Sequence, residues 1–247
     1  MSKVSIVIPA YNEEAFIGKL LEVILKVDVA SLGFDREVLV VDNGSHDRTG
    51  EIARSFPEVR CLRIEVNRGK GEGVKYGIVQ STGDFILVQD ADLEYDPNDY
   101  IPLLKPLLRS HSGPVSVYGS RILGERKEGK GGFFAGKHKD KSLATYAANF
   151  FLSAWAYILY GRWITDTLTG YKVYPAELLR KFSIQTYGFE TDHELTAKLI
   201  RSGVRILEVP ISYHPRTVEE GKKIRAKDFF VAVWTFFKFR FVPKKNF

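Results

Sequence analysis

The sequence predicts an α/β fold with a mostly parallel central sheet and helices on both faces. Apolar runs that read as strands alternate with stretches of helical spacing through the first half of the chain. Polar clusters close several of those strands, namely Tyr11-Asn12-Glu13, Asp42-Asn43-Gly44-Ser45 and Asp90-Ala91-Asp92. Strand–helix alternation gives parallel strands with right-handed crossovers, and such sheets take ligands at the carboxyl ends of their strands. The three clusters are therefore expected to converge on one crevice.

Val4–Pro9 is the first apolar run. Asn12 is placed as a helix N-cap, with Glu13 and Glu14 in the first turn, where the helix dipole favours acids. Phe16, Leu20, Val23, Ile24 and Val27 then follow at helical spacing. Arg36–Val41 is the second strand, with a helix over Asp47–Ser55 behind it. Val59–Glu65 is the third strand, Gly71–Gln80 the third helix and Phe85–Val88 the fourth strand. Val115–Tyr118 is a further short strand. Glu125–Lys141 is rich in Gly and Lys and lacks periodicity, so it reads as a mobile loop. Ser142–Tyr160 carries no charge, but Ser142, Thr145, Asn149 and Ser153 argue for a buried or groove-lining helix rather than a membrane span. Glu190–Arg201 is a helix and Val204–Val209 a strand.

The 247 residues, 45% of them hydrophobic, suffice for one sizeable domain with a small appendage. Residues 1–224 are read as that domain, and residues 225–247 as a basic aromatic segment. The net charge is +6, and nine Lys/Arg against three Asp/Glu lie between Pro215 and Phe247. There Phe229, Phe230, Trp234, Phe236, Phe237, Phe239 and Phe241 interleave with Lys238 and Arg240, ahead of Lys244 and Lys245. Such a composition suits either a helix lying in a membrane interface or a terminal helix packed on the domain. Cys61 is the lone cysteine, so no disulfide forms within the chain, and it reads as a small core residue. Met1-Ser2-Lys3-Val4 runs straight into a strand without signal-peptide character. The expected location is cytoplasmic, peripheral on the membrane face. Asn43-Gly44-Ser45 matches a glycosylation sequon but reads as a turn in that setting.

Asp90 and Asp92 close the apolar fourth strand, where two carboxylates are costly unless a cation sits on them. In extended chain, positions i and i+2 point the same way, so both address one object. Hard oxygen ligands suit Mg2+ or Mn2+. Glu94 either joins them as a ligand or is a solvent-facing loop acid. Pro9 and Tyr11 offer a rigid, flat wall for a nucleobase, and Asp42 either accepts from a base N–H or caps its own turn. Lys70 lies between Gly69 and Gly71, where backbone approaches a ligand closely.

Val7-Ile8-Pro9-Ala10-Tyr11-Asn12-Glu13-Glu14, Val40-Val41-Asp42-Asn43-Gly44-Ser45, Asn67-Arg68-Gly69-Lys70-Gly71 and Gln89-Asp90-Ala91-Asp92-Leu93 occur in this order. With them the chain resembles family 2 glycosyltransferases of the GT-A fold. Gly119-Ser120-Arg121, Asp166-Thr167-Leu168-Thr169-Gly170-Tyr171-Lys172 and Tyr213-His214-Pro215-Arg216-Thr217 resemble the dolichyl- or polyprenyl-phosphate mannosyl- and glucosyltransferase branch. The likeness runs from about Val4 to Ile224. It implies nucleotide contacts at Pro9, Tyr11, Glu13, Asp42 and Lys70, a direct metal contact at Asp92, and Asp90 shared between metal and ribose. It also implies phosphate contacts at Arg121 and Arg216, with His214, Lys222 and Lys223 near the second; a surface salt bridge is the plainer role for either arginine. Asp192, and after it Glu190, sits where hydroxyl-accepting relatives keep a catalytic Asp, or these acids merely favour a helix N-terminus. The implied activity is inverting, metal-dependent transfer of a hexose from GDP-mannose or UDP-glucose to a polyprenyl phosphate. A glycan hydroxyl acceptor is the alternative, and a non-catalytic membrane-binding module the third reading. No nucleic-acid partner is expected.

Overall fold

The computed structural model describes residues 1–109, 112–127, 129, 143–215 and 226–247. The chain runs β1 (Ser2–Ala10), α1 (Ile17–Lys26), β2 (Phe34–Asp42), α2 (Thr49–Arg54), β3 (Val59–Arg63), α3 (Lys70–Gln80), β4 (Phe85–Val88), α4 (Tyr100–Leu104) and β5 (Val115–Ser120). It continues through α5 (Arg121–Lys127), α6 (Leu143–Tyr160), β6 (Lys172–Pro175), α7 (Ala176–Lys181), α8 (Thr191–Arg201), β7 (Arg205–Pro210) and α9 (Ala226–Phe241). The strands form one sheet in the order β3-β2-β1-β4-β6-β5-β7. β1 pairs in parallel with β2 and β4, β2 with β3, and β5 with β7, whereas β6 runs antiparallel to both β4 and β5.

Strand alternation divides the core. Val4, Ile6 and Ile8 of β1 face a cluster with Ile17, Leu20, Leu21 and Ile24 of α1 and Leu103 of α4. Val7 faces the other way, toward Val74 and Ile78 of α3, Leu179 of α7 and Leu195 of α8. Helices thus cover both faces, as the sequence predicts. A third cluster of Leu152, Ala156, Ala197, Ala232, Phe236 and Phe239 seats α6 and α9 against α8. Arg201 fastens this contact by donating to the carbonyl oxygens of Phe239 (2.7 Å) and Val242, near the end of α9. Among the described residues, no helix is long and apolar enough to cross a membrane.

Several expectations are corrected. Asn12 does not cap α1, whose first helical residue is Ile17. It adopts a left-handed φ of 52°, which a short polar side chain tolerates, and its Oδ1 accepts from the amide of His46. Glu14 is likewise outside the helix and accepts from the amide of Arg48. The loop expected over Glu125–Lys141 begins as helix, because α5 runs through Lys127 and buries Glu125, which accepts the Tyr146 hydroxyl on both oxygens (2.9 and 3.0 Å). β6 forms at Lys172–Pro175, within and just beyond a stretch read only as a motif.

Candidate active site

The crevice lies where the carboxyl ends of β1, β2 and β4 meet the amino ends of α3, α8 and the reversed strand β6. Gln89, fully buried past the end of β4, anchors it. Its Oε1 accepts the hydroxyls of Tyr100 (2.8 Å) and Tyr171 (2.5 Å), and its Nε2 donates to the carbonyl of Asp90 (2.8 Å). The backbone that carries Asp90 is thereby held from two sides.

Asp90 receives Lys70 Nζ at 2.6 Å. The same ammonium lies 3.6 Å from Asp192, and on the far side of Asp192 stands Lys172 Nζ at 3.8 Å. Acid and base thus alternate along Asp90, Lys70, Asp192 and Lys172. Packing creates this arrangement. A Cβ on Gly71 would come within 1.9 Å of Thr191 Oγ1, so only glycine lets the start of α3 press against the start of α8. A lysine at the first position of α3 stands at the wrong end of the helix dipole, and the acids around it offset that cost. Burial would lower the Lys70 ammonium, but Asp90 and Asp192 outweigh it and hold it above the ordinary lysine value. Burial does lower Lys172, which is fully buried over the ring of Tyr118.

Arg121 is not a surface residue. It grips Asp166 bidentately, Nε to Oδ2 at 2.7 Å and Nη2 to Oδ1 at 2.8 Å, and lies over the ring of Tyr213 at 4.8 Å. Burial would raise the Asp166 carboxyl, yet the Arg121 guanidinium holds it below the usual aspartate range. Glu208 supports the segment by accepting from the amides of Thr165 and Asp166.

The residues read as nucleotide contacts lie at neighbouring strand ends, with Pro9 beside Val41 and Ala10 beside Asp42. Tyr11 stands edge-on to His46 at 6.5 Å, and the buried Glu13 precedes α1, its amide donating to Thr49 Oγ1 (2.8 Å) and its carbonyl accepting from the amide of Ile17 (2.9 Å). Asp42 caps its turn through the amide of Ser45 (2.9 Å) and also pairs with Arg63 at 2.6 Å. Glu190 stands at the N-cap of α8, but its side chain bonds no helix amide; its Oε1 accepts instead from the amide of Gly188 (3.1 Å). Arg216, Lys222 and Lys223 lie outside the described residues, and His214 is exposed.

Asp90, Asp92 and Glu94 supply carboxylates in succession. Leu93 between the last two has a left-handed φ of 57°, and Glu94 accepts the Tyr213 hydroxyl at 2.7 Å. Asp90 Oδ2 lies against Gly170, where a Cβ would come within 2.4 Å, so only glycine leaves that oxygen room. Among the described residues, no three His, Cys, Asp or Glu are gathered tightly enough to hold a cation alone. One or two carboxylates completed by substrate phosphate oxygens are what Mg2+ and Mn2+ accept. The donor set therefore fits a hard cation that arrives with a diphosphate.

Sequence reasoning missed the partner roles of Asp166, Lys172, Arg63 and Gln89. Lys172 offered one signal, a lysine opening an apolar strand. The pairing of Arg121 with Asp166 offered none, since the two are 45 positions apart.

Residues 5–158 match the family model described as Glycosyl transferase family 2. The low-salt glycan biosynthesis hexosyltransferase Agl6 of Haloferax volcanii is 30% identical over 216 residues, covering 87% of this chain and 48% of that protein. The dolichyl-phosphate beta-glucosyltransferase of Dictyostelium discoideum is 26% identical over 237 residues, covering 89% and 68%. Glucosyl-3-phosphoglycerate synthase from Mycobacterium tuberculosis, solved with Mn2+, uridine diphosphate and glucosyl-3-phosphoglycerate, superposes with a TM-score of 0.67 at 20% identity. That superposition covers 98% of this chain and 81% of the other, and it shows the GT-A fold.

Proposed function

Because the chain belongs to glycosyl transferase family 2 and is a glycosyltransferase drawing on a nucleotide-sugar, we propose that it moves a hexose from GDP-mannose or UDP-glucose to a polyprenyl phosphate, inverting the anomeric carbon. The observation that carries the acceptor is the setting of Asp192. Burial would raise its carboxyl, but Lys172 and Lys70 outweigh burial and hold it below the usual aspartate range. A carboxylate so held is a poor proton acceptor, and a sugar hydroxyl needs a base. A phosphate monoester, with its second pKa at about 6, is nucleophilic without one and needs only placement and charge compensation.

Pro9 and Tyr11 would wall the base, Asp42 would accept from it, and Glu13 would lie beside the ribose. Asp90, Asp92 and Glu94 would hold Mg2+ or Mn2+, with Asp90 shared with the ribose. When bound, that cation supplies Lewis-acid stabilisation of the departing diphosphate. Lys70 would sit between the acids and the diphosphate. Arg121 would turn toward phosphate the Nη1 edge that Asp166 does not engage, and Arg216 is proposed as a second phosphate contact.

The membrane reading rests on α6 and α9. Phe150, Phe151, Tyr157 and Ile158 of α6 stand exposed beside Phe230, Trp234, Phe237 and Phe241 of α9. Lys227, Lys238, Arg240, Lys244 and Lys245 lie in or near the same helix. Exposed rings framed by cations suit a peripheral seat on an anionic cytoplasmic membrane face, where an isoprenoid would enter.

A transfer panel tests this. GDP-mannose and UDP-glucose are offered with Mn2+, with and without a short-chain prenyl phosphate, to the wild type and to Asp192→Asn. Prenyl-linked hexose is expected, with Asp192→Asn keeping activity within about tenfold of wild type. Near-complete loss in that variant would move the acceptor to a glycan hydroxyl.

A further inference from the structure

We infer that Lys70 is a built-in placeholder for the metal: its ammonium holds the cation position on Asp90 until the divalent ion and the donor diphosphate arrive together, and then passes to Asp192 and the phosphates. This rests on the donor-site reading above and adds an order to it.

Lys70 Nζ lies 2.6 Å from Asp90 Oδ1, the distance of a charge-assisted hydrogen bond, and 3.6 Å from Asp192 Oδ2. A second anionic seat is thus within reach of a torsion in the lysine stem. The backbone under it cannot follow. Gly69 and Gly71 are pressed against the carbonyl of Tyr187, where a Cβ would come within 2.6 and 2.8 Å, and the amide of Glu72 donates to that carbonyl. Movement is confined to the flexible four-carbon side chain.

The charges require the exchange. Asp90, Lys70, Asp192 and Lys172 alternate and sum to zero as they stand. A dication on Asp90 with Lys70 unmoved would set like charges on one carboxylate in a part-buried site, where repulsion is poorly screened. Asp192 alone cannot neutralise both lysines once Asp90 is taken. An incoming diphosphate supplies the missing negative charge. Metal and nucleotide are therefore expected to bind weakly apart and tightly together, and Lys70 is the side chain through which they are coupled.

Mn2+ binding is measured by the electron paramagnetic resonance of free Mn2+, without nucleotide and with saturating UDP or GDP. For the wild type, nucleotide is expected to tighten Mn2+ about tenfold or more. In Lys70→Met, nucleotide-free Mn2+ binding should tighten about tenfold while the nucleotide effect shrinks to about threefold or less. Lys70→Arg should keep the weak nucleotide-free binding. Asp192→Asn removes the second seat, so its nucleotide-free Mn2+ binding should weaken several-fold; this arm stands even if Lys70→Met does not fold. Equal tightening of Lys70→Met with and without nucleotide would mean the lysine never leaves, and would overturn the exchange. So would unchanged Mn2+ binding in both Lys70→Met and Asp192→Asn. If the wild type takes up no Mn2+ with either nucleotide, the donor-site reading itself fails.

Discussion

The crevice and the α6–α9 face meet at α8 and treat their awkward groups in opposite ways. In the crevice, charges taken from water are set against opposite charges: Lys70 against Asp90, Arg121 against Asp166. On the α6–α9 face, large rings remain in solvent, Phe230 71% and Trp234 60% exposed. Paired buried charges define where a small anion and its counter-ion sit, because each group is fixed by the others. Unburied rings define no such point, and they suit a broad fluid surface. One helix carries both: Asp192 faces the two lysines, and His193, the next residue, packs edge-on against Phe236 of α9 at 5.0 Å.

The largest test of that contrast removes the carboxylates. Asp90→Asn with Asp92→Asn should lower kcat/KM for the nucleotide-sugar by about a thousandfold, the scale of losing preorganised charge at a reacting diphosphate. Vesicle binding should survive; if it falls in step with turnover, the two regions are not separable. The next test strips the rings. Phe230→Ser with Trp234→Ser should weaken binding to vesicles rich in anionic lipid by about a hundredfold, from about 1.5 kcal/mol or more per aromatic ring. The Tm should hold, since both rings are exposed. Unchanged partitioning would make the face an ordinary surface.

The smallest effect is expected at the seam. Burial, reinforced by Lys172, pushes His193 down to about 4, and neither ring nitrogen has a hydrogen-bond partner among the described residues. The unfolded chain binds a proton near pH 6.5 that the folded chain refuses. His193 therefore leaves stability intact above about pH 6.5, and stability is lost as pH falls toward 4, by about 3 kcal/mol. His193→Leu should flatten the decline of Tm in that window, and an unaltered slope would place the loss elsewhere.

Much of this was legible from the residues. Phe85–Val88 is the predicted and the observed fourth strand, and the acids at its end do open into the crevice. The charge-free run does form α6, and the aromatic segment does form a helix. What escaped depends on partners distant in sequence. Asn12 read as a cap because its side chain suits one, but the amide of His46 claims it. At Arg121 the phosphate contact came from the resemblance, and what went unread was the Asp166 carboxylate that grips it from 45 positions away. Lys172 opens an apolar strand, yet nothing local names Asp192 as its neighbour; only the pairing of β6 with β4 and β5 puts it there.

That reversed strand has a consequence for how the protein is made. β6 supplies four residues to the middle of the sheet, with Val173 facing Leu87 on one side and Val117 on the other. A ribosome delivers them well after both neighbours. Until then β4 and β5 each offer a bare edge to any passing strand. A central stitch in this sheet thus comes late, with only the edge strand β7 to follow, and a nascent chain stalled before Lys172 would be a sticky one.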